Sequence, residues 1–387
     1  MKIKPKIVFF ITEDWYFYSH RLPLAIAAQK EGFDVYLITK KISHSDLIRK
    51  HGINVINLDL RRGEVSLFSD ILMFMKLINI LQKIKPDIIH NVALKPILYG
   101  NMAALLTNVH SSINSFAGLG YIFISNSLKA KVINSILKIV FRIILNGKNN
   151  RIIFQNEDDL KLMVSKKFVK KNISTIIRGS GVDKKKFRYT VENNNTQNIV
   201  LASRLLWDKG IGEFVKASKI IKKKNYKNLR FIIVGKIDDQ NPSSISKKKL
   251  LYWQGKKIIE WWGFNEDINK VYEQSNIVCL PSYREGLPKS LIEAAACGRA
   301  IITTDVPGCR EIVINDYNGK LVPKKNASLL AKAILELIND NYMRNRMGKN
   351  GLKYFKDNFT IEHIVSQHML IYLDQLSKNH MNKNKQK

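Results

Sequence analysis

The chain has 387 residues, 45% hydrophobic and 25% charged, enough apolar material for two cores of ~100–200 residues each rather than one. Its 64 Lys and Arg against 32 Asp and Glu leave a formal net charge of +32, which favours anionic partners (nucleic acid, anionic lipid or phosphorylated small molecules), although most of it reads as solvated lysine, as in the runs at 184–186, 222–224 and 247–249. Cys279, Cys297 and Cys309 exclude a disulfide framework and lack metal-ligand spacing, and no run reaches the ~18 apolar residues of a membrane-spanning helix. The apolar run at 7–11 is too short for a signal-peptide core. The chain is expected in the cytoplasm, peripheral at the inner face of the cell membrane.

Residues 6–12 (KIVFFIT) form a continuous β-branched and aromatic run, the mark of a strand buried on both faces. A helix follows, with Ser19 as its expected N-cap and Pro23 in its first turn. The strand pattern repeats at 33–39, 53–58, 87–91, 112–115 and 152–155, with helical stretches between. No Asp or Glu occurs between Asp87 and Glu157. Inside that interval Lys131, Ser135, Lys138, Arg142 and Asn146 fall at helical spacing and make one polar, basic stripe on an otherwise apolar helix. Such a helix suits either an anionic membrane interface or a sheet-packed position with a solvated edge. The pattern weakens over 184–197, a polar stretch with an Asn run, and then restarts with strands at 199–203, 229–235, 258–262, 277–281 and 300–304. Strands alternating with helices imply parallel sheets covered on both faces. The expected organisation is therefore α/β, with a domain at 1–183, a linker at 184–197, a second domain at 198–362, and a C-terminal helix and tail at 363–387 that turns back toward the first domain.

Ligands of open α/β sheets bind at the carboxyl ends of the strands. After the strand at 277–281 comes PSYREGLPKSLIEAAACGRAIITTD (281–305). Pro288 suits the first turn of a helix running to about Cys297. The N–H groups of that turn, including Ser290, together with Gly286 and Leu287, would form an anion site suited to a diphosphate. Glu285 precedes the site and Glu293 lies further along the helix, so two carboxylates flank it, as the hydroxyl-rich ends of a sugar nucleotide require. A capped helix with two solvated acids has the same spacing, and spacing alone leaves both readings open. After the strand at 199–203, Arg204 and Lys209 supply a planar fork and a point charge, which can stabilise a departing diphosphate without a metal.

Glu-x7-Glu enclosing GLPKSLIEA and followed by CGRAIITTD resembles the donor site of family-four glycosyltransferases, and residues 204–210 resemble that family's R-L-x-x-x-K-G motif. The resemblance implies the GT-B fold, two Rossmann-like domains facing across a cleft. It also implies retention of the donor's anomeric configuration, with no metal or other cofactor. By resemblance Glu293 binds ribose, Glu285 contacts the transferred sugar, Leu287 offers its backbone to the diphosphate, and Arg204 and Lys209 hold phosphate. Gly235 marks a backbone approach to the nucleotide, and Trp262-Gly263-Phe264 resembles the segment that reads the base. The first domain departs from the family. Its first loop, 13–18 (EDWYFY), has no glycine and suits an acceptor, and 115–120 (SFAGLG) lacks the usual histidine. The GLGYIF run and Lys95-Pro96 resemble bacterial transferases that extend undecaprenyl-diphosphate-linked sugars, often from UDP-N-acetylhexosamines.

The partners so implied are a UDP-sugar, a polyprenyl-diphosphate-linked saccharide and an anionic membrane surface. Tyr18, His20, Arg21, His90 and Lys95 are the acceptor-side candidates, and Lys131, Lys138 and Arg142 the membrane-facing ones. A UDP-sugar epimerase of the same fold is the alternative. A nucleic-acid-binding protein is a distant one, since no helix-turn-helix or RNA-binding signature is present. Gly118-Leu119-Gly120 lacks the third glycine of a dinucleotide fingerprint, that position being Phe123.

Overall fold

The computed structural model describes residues 4–60, 67–119, 123, 128–192, 196–224, 226, 228–239 and 241–385. The chain divides into two compact units, Met1–Ser180 with Ile364–Lys387, and Gly181–His363.

In the first unit, β1 (Lys6–Glu13) leads directly into α1 (Asp14–His20) and then α2 (Leu22–Lys30). β2 (Asp34–Lys40), α3 (Ser45–Arg49), β3 (Asn54–Asn57), α4 (Leu67–Ile84), β4 (Ile88–Val92), α5 (Leu94–Leu106), β5 (Ser111–Ser115), α6 (Leu128–Ile144), β6 (Asn150–Phe154), α7 (Glu157–Ser165) and β7 (Ser174–Ile176) follow. The strands pair in parallel in the order β3-β2-β1-β4-β5-β6-β7. β1 is apolar at consecutive positions because both faces are covered. Ile7, Phe9 and Ile11 pack with α2, while Val8 and Phe10 face Met73, Leu77 and Leu81 of α4.

The second unit contains β8 (Gln197–Ala202), α8 (Ile211–Lys222), β9 (Leu229–Val234), α9 (Lys247–Gly255), β10 (Glu260–Trp261), α10 (Ile268–Glu273), β11 (Ile277–Leu280), α11 (Lys289–Ala296), β12 (Ala300–Thr304), β13 (Gly319–Val322), α12 (Ala327–Asn339) and α13 (Asn341–Asn358). Its parallel order is β10-β9-β8-β11-β12-β13. Residues 182–192, from the polar stretch after the first domain, pack on this unit. Phe187 joins its core, and Glu192 makes a 2.7 Å ion pair with Arg344 in which the side chains are 4% and 1% exposed. The last helix, α14 (Ile361–Lys385), belongs to the first unit from Ile364 onward. Its Tyr372 and Met369 join the core containing Phe9, and Gln375 accepts from the Ser111 hydroxyl.

Two local expectations change. Ser19 does not cap a helix: α1 starts at once after β1, and the Ser19 hydroxyl donates to the Trp15 carbonyl inside that helix, a back-bond that competes with capping. Pro23 does lie in the first turn of α2, whose N-cap is Arg21. β7 and β13 are edge strands that the sequence pattern did not mark. They are short and only partly buried, so neither shows a long apolar run. Among the described residues no helix is long and apolar enough to cross a membrane.

Candidate functional site

At the carboxyl edge of the second sheet, the loops after β8 and β11 are held in backbone contact. Gly210 sits in the left-handed region (φ 73°), and a Cβ there would overlap the Pro281 carbonyl. Tyr283 N–H donates to the Asp208 carbonyl at 2.8 Å. This contact delivers Lys209 to Glu285, with Nζ and Oε1 2.6 Å apart and the side chains 14% and 11% exposed. Ser282 Oγ donates to the same carboxylate oxygen at 2.6 Å. A third loop supports the pair from behind. A Cβ on Gly308 (φ 78°) would lie 2.5 Å from the Gly286 carbonyl oxygen and 2.8 Å from that of Glu285. Sequence reasoning missed Gly308, although a glycine following Pro307 is a turn signal.

α11 begins one residue later than expected. Pro288 is its N-cap in extended conformation, and Ser290 lies in its first turn. Proline has no side-chain acceptor with which to close that end. Glu293 is four residues along from Lys289, whose Nζ is 3.9 Å from Oε1. The Tyr272 hydroxyl donates to Oε2 at 3.4 Å. Burial raises the Glu293 carboxyl above the usual range, with Lys289, Tyr272 and Lys186 opposing that rise.

Arg204 pairs with Asp238 at 3.2 Å, beyond the end of β9, and keeps 42% of its side chain exposed. Gly235 approaches the chain's own backbone: a Cβ there would overlap the Ser203 carbonyl, and its N–H donates to the Gly263 carbonyl at 2.8 Å. That packing accounts for the glycine at 235 without reference to a nucleotide. Nothing lies within 4 Å of a Cβ on Gly263, and Phe264 beside it is exposed. Burial pushes the thiols of Cys297 and Cys309 up to about 12, so both stay protonated and neither is a nucleophile. Among the described residues no group of three or more His, Cys, Asp or Glu is placed to hold a metal ion.

The first-unit candidates separate. His90 is fully buried in the middle of the sheet, sharing hydrogen bonds with the Tyr372 hydroxyl at 2.6 Å and the Ser115 hydroxyl at 2.7 Å. Burial, then Arg21 and His368, hold it well below the usual imidazole range. Arg21 is buried too, its Nη1 donating to the Gly179 carbonyl at 3.5 Å. Neither reaches a surface, which corrects their reading as acceptor contacts: His90 lies at the centre of β4 under Tyr372 of α14, and Arg21 is enclosed at the start of α2. Tyr18 is half-buried against the His44 ring at 4.9 Å, and His20 stacks on Tyr16 at 4.2 Å. Lys95 lies 3.6 Å from Asp70 and is partly exposed. On α6, the Lys131 side chain and Gly120-Tyr121-Ile122 of the GLGYIF run lie outside the described residues. Lys138 is half-buried, and Arg142 is exposed with its Nε donating to the Lys167 carbonyl at 3.0 Å.

Residues 182–354 match the family described as "Glycosyl transferases group 1", and residues 6–156 match "Glycosyl transferase 4-like". The chain is a glycosyltransferase carrying these two domains. Among relatives of this glycosyltransferase, an N,N'-diacetylbacillosaminyl-diphospho-undecaprenol alpha-1,3-N-acetylgalactosaminyltransferase of Campylobacter jejuni is 29% identical over 94% of this chain and 96% of its own. A UDP-Gal:alpha-D-GlcNAc-diphosphoundecaprenol alpha-1,3-galactosyltransferase of Escherichia coli is 24% identical over 89% and 90%. Among solved structures, a sucrose-phosphate synthase of Thermosynechococcus elongatus superposes with a TM-score of 0.78 at 20% identity, covering 97% of this chain and 100% of its own. The Anabaena protein HepE, in complex with UDP and glucose, gives 0.73 at 16% identity over 96% and 99%. The fold of this glycosyltransferase is GT-B, built from two parallel-sheet α/β domains.

Proposed function

We propose that this glycosyltransferase moves a sugar, an N-acetylhexosamine, from a UDP-sugar to a hydroxyl of an undecaprenyl-diphosphate-linked saccharide at the inner face of the cell membrane, with retention of configuration. The observation that carries the donor half is the Lys209–Glu285 pair, 2.6 Å apart and mostly buried at the carboxyl edge beside the start of α11. A lysine held by a carboxylate has a fixed position before substrate arrives, and fixed charge is what stabilises developing charge without reorganisation. Lys209 and Arg204 take the phosphate oxygens. The N–H groups at Gly286, Leu287 and the first turn of α11, where Ser290 lies, take the remainder. Glu285 contacts the transferred sugar, and Glu293 accepts from the ribose hydroxyls. Gly235 and Gly263 shape the edge where the base lies.

The acceptor oxygen forms the new bond to the anomeric carbon as that carbon's bond to the diphosphate breaks, and a donor phosphate oxygen takes the acceptor proton. No protein nucleophile is required. Acceptor chemistry is supported by the names of the Campylobacter and Escherichia relatives. Tyr18, His20 and Lys95 remain on the acceptor side.

The test is incubation with radiolabelled UDP-sugars, with and without lipid-linked acceptor. Label should enter the organic phase only when acceptor is present. Release of a C2-epimer without acceptor would replace this reading with the epimerase, and full activity in Arg204→Ala, Lys209→Ala and Glu293→Ala would overturn the site.

A further inference from the structure

The basic stripe of α6 does not stand alone on its surface. Beside it Ile136, Ile139 and Ile143 are exposed, the last at 71%. Their spacing (i, i+3, i+7) makes a second stripe, while Phe141 and Ile144 on the opposite side enter the core. α4 repeats the arrangement. Phe68, Ile71 and Met75 are exposed, Phe68 at 76%, while Met73, Leu77 and Leu81 are buried beneath. α4 packs on α5 and α5 on α6, so the three helices form one layer over the first sheet, and both apolar stripes lie on its outer side. Isolated exposed apolar residues are ordinary, but two helical stripes on one layer are not.

The charge of that layer indicates what covers it. Asp70 is the only acid in the sequences of α4, α5 and α6, whereas Lys76 and Lys83 lie on α4, Lys95 on α5, and Lys129, Lys131, Lys138 and Arg142 on α6. Asp70 is itself mostly buried and engaged by Lys95 and Tyr99. An apolar stripe flanked by Lys and Arg, with no acid left at the surface of the three helices, complements an anionic bilayer: apolar side chains enter the acyl boundary and the cations meet the headgroups. A second copy of this chain, whose net charge is +32, would meet the same cations with repulsion.

We propose that the outer face of the α4–α5–α6 layer docks on an anionic membrane, with Phe68, Ile71 and Met75 of α4 and Ile136, Ile139 and Ile143 of α6 as the inserted side chains. The choice of a bilayer rests partly on the lipid-linked acceptor proposed above; the surface rests on exposure and charge.

The test uses the full chain without donor or acceptor, so absence of sugar transfer would overturn the earlier reading and leave this one standing. Flotation is measured on vesicles of phosphatidylglycerol with phosphatidylcholine and on phosphatidylcholine alone. The wild type should float with the anionic vesicles and not with the neutral ones. Phe68→Glu/Ile71→Glu and Ile139→Glu/Ile143→Glu should each cut binding by about tenfold or more, given the apolar area withdrawn, with melting temperature unchanged. As a second readout that requires no charge insertion, Phe68→Trp and Ile143→Trp should shift their emission to the blue on addition of anionic vesicles. Undiminished flotation of both Glu variants, or unshifted emission from both Trp variants, overturns the proposal. So does equal binding to neutral vesicles, or a wild-type dimer that the Glu variants dissociate while vesicle binding persists.

Discussion

β1 and β8 hold equivalent places in their sheets, each between the next strand in the chain (β2, β9) and the strand that begins the other half (β4, β11). A long cation follows each, Lys209 in the turn directly after β8 and Arg21 at the N-cap of α2, one short helix beyond β1, and the two meet opposite fates. Lys209 stops at the edge, paired with Glu285 of the loop after β11. Arg21 is covered, among His90 of β4 and His368 of α14, and its Nε has no hydrogen-bond partner among the described residues. Lys209 is thus left partly exposed at the sheet edge, where the proposed site needs it, whereas Arg21 is a core group. The difference comes from what packs over each. A cation that follows a strand stays open to a ligand only where no later element closes over it.

The largest expected effect tests that contrast directly. Lys209→Met should lower turnover by ~10²–10³-fold, the usual cost of removing one preorganised charge donor, whereas Arg21→Met should leave turnover within a fewfold. A buried, incompletely bonded guanidinium replaced by an apolar side chain of similar length is neutral or stabilising, so the Arg21→Met melting temperature should hold or rise. Steady-state transfer rates and thermal melts of the two variants decide it. Equal losses of turnover would end the distinction between the units.

Glu293 separates function from stability within the proposed donor site. Its folded carboxyl lies above its unfolded value because burial disfavours the charge. The folded state therefore holds a proton more tightly than the unfolded one, and stability falls as pH rises from the unfolded value through the folded one. Above that window the ionised group is a standing cost. Glu293→Gln removes it, and the melting temperature at neutral pH should increase. Donor affinity should move the other way, by ~10-fold or more, since hydrogen bonds to a charged acceptor are worth ~1.5–3 kcal/mol. In the wild type, donor affinity should decline on acidification at a higher pH than an ordinary glutamate would give. A variant that melts lower while binding donor normally would make Glu293 a purely structural residue.

The sheets and the loops that meet at the Lys209–Glu285 pair were legible because they are written locally. KIVFFIT must be buried on both faces, and 285–293 carries its own glycine, proline and acids. What was not legible depended on distant chain. His90 looks like a strand-end ligand until Tyr372 of α14 reaches its Nδ1. The basic stripe of α6 was visible as a periodicity, but not that Ile136, Ile139 and Ile143 beside it would stay uncovered. Periodicity marks the faces of a helix and says nothing of which face a remote element will cover. Gly308 was missed for a related reason: its need for glycine comes from the carbonyls of a loop on the neighbouring strand.

The covering helix can be loosened alone. Tyr372→Phe removes the hydroxyl 2.6 Å from His90 Nδ1 and leaves a buried polar nitrogen unsatisfied, at ~1–3 kcal/mol. Amide exchange in α14 should accelerate, while the donor dissociation constant, which the proposed site assigns to the second unit, stays unchanged. A shift in donor affinity as large as the loss of stability would mean that the buried cluster shapes the donor site, and the contrast between the units would weaken.

The smallest expected effect concerns Lys95, a first-unit cation that escapes full burial. It lies 3.6 Å from Asp70, with side chains 21% and 12% exposed, and Asp70 also accepts from the Tyr99 hydroxyl at 3.1 Å. Removing Lys95 therefore leaves Asp70 hydrogen-bonded. A partly exposed pair of this kind is worth ~0.2–1 kcal/mol, so Lys95→Ala should lower stability by less than about 1 kcal/mol in denaturant titration. If Lys95 meets the acceptor phosphate, the acceptor KM should rise severalfold with kcat unchanged, the signature of an interaction made equally before and during transfer. An unchanged KM would assign Lys95 to Asp70 alone. The first unit would then hold its acceptor through Tyr18 and His20, with aromatic and imidazole contacts in place of a charge, and the comparison with Lys209 would become complete: one unit binding substrate by paired charge, the other without it.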